Sequence, residues 1–539
     1  MSSRQEIFQT PTAACAEQVL KGLRVDSATG PDGIAARVLQ KCSHVLAEPV
    51  SVLAGRIADT GVWPDLWRTH WVVPLHKRGS RHDGDHYRGV HLTSQLSKML
   101  ERVLGLSFLP FLHSTLAFGP HQFAYLPGRG ARDVTAYLVM TWIIGFDALR
   151  KFGLHCSDVS GAFDKVSRQR LVRKLRAKGL HDIILDVLRS WLRPRTAHVV
   201  IDGATSDAMA LENMVFQGTV WGPPLWNVFF EDARIPINAC GFNEIVYADD
   251  LNAFRPFPLA TSNAEVLGQV ARCQDRLHTW GEANGVEFDP SKESSHVVSR
   301  SDPHGADFRI LGVMFDTRLR MHAAVHEVAV ECAWKLTALL RSRRYHDVPR
   351  LMLLYKAQLL SYIEYRTPAI YHAACSVLEP VDGVQQRFLR ETCVSDEDAL
   401  FVFHLAPLSV RRDIAMLGVI HRTVLGRGPS QFREFFKLAP LDGHPARTRS
   451  QCSRHRFQLE APSDPRGQHH SDMLARSALG LVWVYNHLPP KIVEQTSVSR
   501  FQAELQRLVK DRAKARCADW AQSLSPRSPL SSHPLLRYR

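Results

Sequence analysis

No two of the 10 cysteines stand at C-x-x-C spacing, which excludes a zinc ribbon and a thioredoxin-like redox motif. No stretch approaches the roughly 18 consecutive apolar residues of a membrane span. The apolar run 136–146 is too short for one and reads as a buried helix. Residues 1–10 lack a basic segment followed by an apolar run, so no secretory signal is visible, and the expected setting is intracellular, nucleus or cytoplasm, with free thiols. Acidic charge is in deficit. Asp and Glu number 53 against 67 Lys and Arg, and the formal net charge of +14 favours a polyanionic partner, nucleic acid first. A group at Cys452, His455, His469 and His470 has no finger spacing and reads as surface side chains of a chain with 26 His.

What is present is an ordinary globular composition, 45% hydrophobic and 22% charged, in 539 residues, enough for two to four subdomains. Strand-like runs at 154–157, 198–202, 244–247 and 309–315 alternate with helical patterns. Residues 167–178 place Leu171, Val172 and Leu175 on one side and Arg168, Arg170, Arg173, Lys174, Arg176 and Lys178 on the other. From 322 onward the pattern is mainly helical, at 325–341, 351–363 and 410–425, with a basic helix at 499–515. Residues 440–475 read as a linker and the tail from Ser523 as disordered.

Two acidic positions follow strand-like runs: Asp158, in the series Asp158-Val159-Ser160-Gly161-Ala162-Phe163-Asp164, and the pair after Val246-Tyr247-Ala248, Asp249-Asp250. Nucleotidyl transfer uses two metal ions roughly 3.5–4 Å apart, one at the attacking hydroxyl and one at the leaving pyrophosphate. Mg²⁺ takes hard oxygen ligands and keeps several waters, so a few carboxylates suffice. An Asp on one strand and an Asp pair in a neighbouring hairpin would supply them. Asp-Asp alone is a common turn dipeptide; order and context give it weight.

That context resembles the reverse transcriptases of non-LTR (jockey-like, long interspersed) retroelements. Asp158 with Ala162-Phe163-Asp164 resembles the first catalytic motif, Gln217-Gly218-Thr219-Val220-Trp221-Gly222-Pro223-Pro224-Leu225 the glycine–proline motif, and Tyr247-Ala248-Asp249-Asp250 the catalytic tetrapeptide. Asn284 to Phe288 with Ser291-Lys292, and Leu311-Gly312-Val313 of the primer grip, continue the series. Upstream, Thr29 to Ile34, Trp63-Pro64 with Val73-Pro74-Leu75-His76-Lys77, His86-Tyr87-Arg88-Gly89 through Lys98 and Glu101, and Gln122 to Tyr125 with Pro127-Gly128-Arg129 resemble its fingers blocks. The likeness runs from about residue 20 to 510, so no endonuclease is expected ahead of it.

The resemblance implies an α+β right-hand polymerase: an N-terminal segment and fingers in 1–148, a palm with a small antiparallel sheet in 149–320, a helical thumb in 321–435, and a linker with a basic extension in 436–539. It implies Asp158, Asp249 and Asp250 as catalytic ligands of two Mg²⁺ (or Mn²⁺) ions, an RNA template, a DNA primer and dNTPs as partners, and no membrane. Phe163 becomes a steric gate against a 2′ hydroxyl; Gln217, Gly218 and Tyr247 serve the nascent pair; Lys77 and Arg88 bind triphosphate; Lys292 protonates pyrophosphate. Arg168, Arg173 and Lys174, with Leu311 and Gly312, are the expected nucleic-acid contacts; an ordinary surface helix is the equal alternative for the first three. The chain departs from the pattern at Phe216 and Gly89, where these enzymes usually place proline. The rival expectations are an inactive or domesticated nucleic-acid-binding protein and an RNA-dependent RNA polymerase, the latter disfavoured by Phe163 and Ala248.

Overall fold

The computed structural model describes residues 8–77, 79–212, 214–440, 455–461 and 472–537. Helices and sheets are mixed, in two units interleaved along the chain: residues 1–125, 157–253 and 272–293 form one, and 126–156, 254–271 and 294–539 the other.

The first unit is built around a mixed sheet. Its strand Thr69–His76 pairs antiparallel with Tyr87–Leu92, Trp71 opposite Leu92 and His76 opposite Tyr87. On its other edge it runs parallel to Arg195–Ile201, Thr69 opposite Thr196. That third strand begins before the expected 198 and stops short of Asp202, because Asp202 (φ 49°) and Gly203 (φ 86°) already form the turn. Gly89 lies opposite Pro74, and a Cβ there would come within 3.0 Å of Val72 Cγ1. Helices start where hydroxyls satisfy free amides: Ser94 accepts from Ser97 N ahead of Gln95–Ser114, and Ser167 from Arg170 N ahead of Arg168–Ala177. Leu171, Val172 and Leu175 of the latter are buried, as its periodicity predicts. The core is aromatic, with Trp221 packed on Trp63 at 5.2 Å and on Trp191 at 5.6 Å between ring centroids. Phe216 explains its own departure from proline. It is 1% exposed, against Trp191 at 5.4 Å and under the Arg195 guanidinium at 4.0 Å, a contact a pyrrolidine ring could not make.

In the second unit the strand Arg150–Ser157 pairs antiparallel with Ser294–Val298, Phe152 opposite Val298. The single run expected at 309–315 is a hairpin instead. Phe308–Ile310 and Val313–Phe315 flank a turn at Leu311 (φ 50°) and Gly312 (φ 75°). Helices dominate the rest, including His322–Arg341, Leu408–Val424 and Val498–Lys514. The stretch expected as one helix at 351–363 is interrupted: Val348–Tyr355 widens into a π-type turn at Lys356–Leu360 before Ser361–Tyr365. The tail is ordered rather than disordered. Ser523, His533 and Leu535 are buried, and Arg512 Nη1 donates to Pro534 O at 3.2 Å. His455 is not a surface residue either; it is 3% exposed, with Nε2 2.9 Å from Tyr485 O. Cys452, His469, His470 and most of the 440–475 linker lie outside the described residues. Among the described residues no helix is long and apolar enough to cross a membrane.

Candidate active site

Asp158 follows directly on the strand that ends at Ser157, and main-chain bonds fix its turn. Asp289 N donates to Asp158 O at 3.0 Å, and Ser160 N to Glu287 O at 2.9 Å. Asp289 also closes a turn of its own, accepting from Ser291 N at 3.0 Å and Ser291 Oγ at 2.6 Å. The turn presents Lys292, whose Nζ lies 2.5 Å from Asp158 Oδ2 and 3.3 Å from Asp289 Oδ2. Sequence alone placed Lys292 near a leaving group; the structure places it on a carboxylate.

Asp249 and Asp250 occupy the hairpin between Asn243–Tyr247 and Asp250–Pro258. The turn needs Ala248 at φ 61°, a left-handed conformation that a residue with a Cβ adopts at a cost. Two side chains hold it there. Gln122 Oε1 accepts from Ala248 N at 3.0 Å, and Trp226 Nε1 donates to Ala248 O at 3.0 Å. The segment carrying Gln122 lies beside the same strand, with Val246 N donating to His121 O at 3.0 Å and Phe123 N to Val246 O at 2.9 Å. Gln122 was legible as a motif member and Trp226 directly follows the glycine–proline motif, but nothing in their spacing signals a grip on Ala248.

The carboxylates sense one another. Burial first, then Asp158, raises Asp249; burial, Asp249 and Asp158 together push Asp250 up to about 7. Lys292 opposes the rise at both, and Arg88 opposes it at Asp249. Asp158, Asp249, Asp250, Lys292 and Arg88 therefore share one electrostatic neighbourhood. The donor set is hard oxygen, which suits Mg²⁺ with its retained waters. The described side chains do not by themselves close into a cage of three or more His, Cys, Asp or Glu ligands. The Lys292 ammonium supplies local positive charge against Asp158.

Phe163 stands beside this cluster's aromatic wall, stacked on Trp226 with centroids 5.9 Å apart and edge-on to Tyr125 at 6.5 Å. Tyr247 and Asp249 both raise the Tyr125 phenol, after burial, which puts them in the same locality. Gln217 is half-buried and Gly218 exposed. Gly218 adopts φ 78°, and a Cβ there would sit 2.4 Å from His91 O. Gly218→Ala is expected to cost about 1–3 kcal/mol, read as a lowered melting temperature, because neither the backbone angle nor the His91 carbonyl can yield cheaply. Lys77 is exposed just past the strand Thr69–His76, its N donating to His86 O at 2.8 Å; among the described residues the ion pair to Asp158 is made by Lys292 and not by Lys77.

Of the expected nucleic-acid contacts, Arg168 and Arg173 face outward, half-buried and exposed respectively. Lys174 turns inward: its Nζ is 2.7 Å from both Phe229 O and Asp232 Oδ1, over the Phe229 ring at 4.5 Å. Leu311 and Gly312 lie in the second unit, where Tyr365 Oη donates to Leu311 O at 2.9 Å.

Residues 75–315 match the reverse transcriptase (RNA-dependent DNA polymerase) family. The RNA-directed DNA polymerase from mobile element jockey of Drosophila melanogaster is 23% identical over 326 residues, 56% of this chain and 35% of that protein. The probable RNA-directed DNA polymerase from transposon X-element of the same fly is 22% identical over 404 residues, 71% of this chain and 44% of that protein. The Pol polyprotein from type-1 retrotransposable element R2 of Popillia japonica is 29% identical over 156 residues, 27% of this chain and 25% of that protein. The chain thus spans less than half the length of these relatives. All the acidic residues described above fall within the matched range, and residues 75–315 are a reverse transcriptase domain related to those of jockey-like non-LTR retrotransposons.

Proposed function

We propose that this chain is an RNA-directed DNA polymerase that adds dNTPs to the 3′ end of a DNA primer on an RNA template. The observation that carries the reading is the shared electrostatic neighbourhood of Asp158, Asp249 and Asp250, drawn from sequence positions about ninety residues apart inside the matched domain. Asp158, Asp249 and Asp250 would hold two divalent cations, Mg²⁺ or Mn²⁺. When bound, these supply charge stabilisation at the attacking hydroxyl and the leaving pyrophosphate.

The chain's own residues do the rest. Lys292 releases Asp158 to its ligand role and stays within reach as a proton donor for pyrophosphate. Arg88 offers its guanidinium to triphosphate oxygens. Gly218 lets the backbone approach a nascent base pair where a side chain would not fit. Phe163, with its ring fixed against Trp226, fills the space of a ribose 2′ hydroxyl. In this reading the strands Thr69–His76 and Tyr87–Leu92 belong to the fingers, residues 149–320 to the palm and the helices after 321 to the thumb.

The test is extension of a DNA primer on an RNA template with Mg²⁺ and dNTPs, beside an Asp249→Asn/Asp250→Asn double variant. Extension by the wild type alone supports the reading. Equal extension by both proteins, or none by either, refutes it and favours a nucleic-acid-binding protein without turnover. Phe163→Ala is expected to shift the ratio of rNTP to dNTP incorporation towards rNTP by about 10–100-fold, measured in competition. An unchanged ratio would return Phe163 to a packing role.

A further inference from the structure

A basic surface lies in the first unit, and none of Asp158, Asp249 and Asp250 lines it. The helices Arg168–Ala177 and Asp182–Trp191 and the turn after Thr60 border a cleft of about 710 Å³. Five guanidinium groups line it, from Arg168, Arg173, Arg176, Arg189 and Arg193, against the single carboxylate of Asp186. Arg189 is paired with Asp186, and Arg176 with Asp182 at 3.0 Å. Arg168, Arg173 and Arg193 have no carboxylate within ion-pair distance among the described residues, and Arg173 and Arg193 are exposed. The cleft wall is closely built, since a Cβ on Gly61 would meet Asp186 Cβ at 3.1 Å.

Like charges gathered in a concave surface repel one another, and a bound polyanion relieves that repulsion. From Arg168 to Arg176 the cations extend about 12 Å along one helix. That is longer than one phosphate group, so the row addresses successive charges of a chain. Guanidinium forks match phosphate oxygens two at a time. We infer that this cleft is an auxiliary binding site for the phosphodiester backbone of a single nucleic-acid strand, separate from the polymerising centre. Lys174, on the same helix, takes no part; it is held by Asp232 on the inner side.

The inference goes beyond the polymerase reading and has its own test. Binding of a labelled single-stranded RNA is measured against salt for the wild-type chain and for Arg168→Ala/Arg173→Ala/Arg193→Ala, with melting curves for both. The triple variant is expected to melt with the wild type, bind about 10- to 100-fold more weakly at 0.1 M salt, and lose about 2 from the slope of log affinity on log salt. A triple Arg→Lys variant keeps the charges and is expected to keep the slope, which a folding defect would not restore. Unchanged affinity and slope in the alanine variant would overturn the site. So would competition by polyglutamate as strong as by RNA at equal charge, which would assign the cleft to an acidic protein. A wild-type chain that binds RNA but never extends a primer would remove the proposed activity and leave the cleft standing. One that binds no RNA would remove both.

Discussion

Replacing Asp158 with Asn is expected to lower RNA-templated extension by about 10³-fold or more while leaving the melting temperature of the metal-free protein equal to or above that of the wild type. The two effects have one cause. Asp158 adds to the repulsion that, with burial, pushes Asp250 up to about 7 and raises Asp249. An amide of nearly the same shape removes that repulsion. The ion pair lost with Lys292 offsets little, because the ammonium is 55% exposed and solvent screens it. In the proposed role of receiving cations, such a cluster is less stable empty than neutralised, the usual conflict between function and stability at such sites. The same reasoning fixes the response to Mg²⁺. A ligand that binds only the folded wild type at 100 times its Kd stabilises it by about 2.7 kcal/mol, and the variant forgoes most of that. Melting curves with and without Mg²⁺, read beside primer extension, test both halves. Equal extension by the two proteins would sink the role of Asp158, and equal stabilisation by Mg²⁺ would sink the assignment of this cluster as the metal site.

The acidic residues were legible because their chemistry is local to the sequence. A carboxylate after an apolar strand and a pair in a hairpin are readable without knowing what faces them. The helix at 167–178 was legible from the spacing of Leu171, Val172 and Leu175, and Ser167 caps its start. What could not be read were bonds between positions far apart along the chain. Ala248 looks like an unremarkable turn residue until Gln122, 126 residues away, and Trp226 are found holding it at a positive φ. Lys174 sits in a run of cations that reads as one solvated face, yet a carboxylate brought over from position 232 draws it inward. The hairpin at 308–315 reads as one strand because Leu311 is apolar, whereas the positive φ of Leu311 and of Gly312 breaks the run between them. The tail was misread because composition averages over residues, whereas its docking rests on a few buried side chains such as His533 and Leu535.

Glu101 shows what a distant bond can carry, and Glu101→Ala is expected to destabilise the first unit by about 3–5 kcal/mol. Its side chain is 0% exposed. Oε2 accepts from Val220 N at 2.6 Å and Trp221 N at 3.2 Å; Oε1 accepts from Trp191 Nε1 at 3.2 Å and Ser97 Oγ at 3.3 Å. Burial raises its carboxyl, and these donors and Arg195 pull it back towards the charged form. Arg195, itself 2% exposed, is pushed down to about 9 by burial and held up by Glu101. Its other partners supply no charge. Arg195 Nη1 lies 3.0 Å from His70 Nε2, and a guanidinium only donates, so that ring nitrogen accepts. His70 Nδ1 then carries the proton and donates to His91 Nδ1 at 3.2 Å. Both rings are neutral, in keeping with their lowering to about 2 and about 4 by burial and Arg195. Alanine at 101 would therefore strand a buried cation and leave two main-chain amides without an acceptor. Those amides belong to Val220 and Trp221, two and three residues past Gly218, so the loop that meets the nascent pair in the proposed reaction is anchored here. Glu101→Gln keeps one acceptor oxygen and is expected to melt between the other two proteins, with kcat/KM for dNTP falling before kcat as nucleotide positioning loosens. A glutamine variant with wild-type melting and wild-type KM would show that the loop holds its place without this carboxylate.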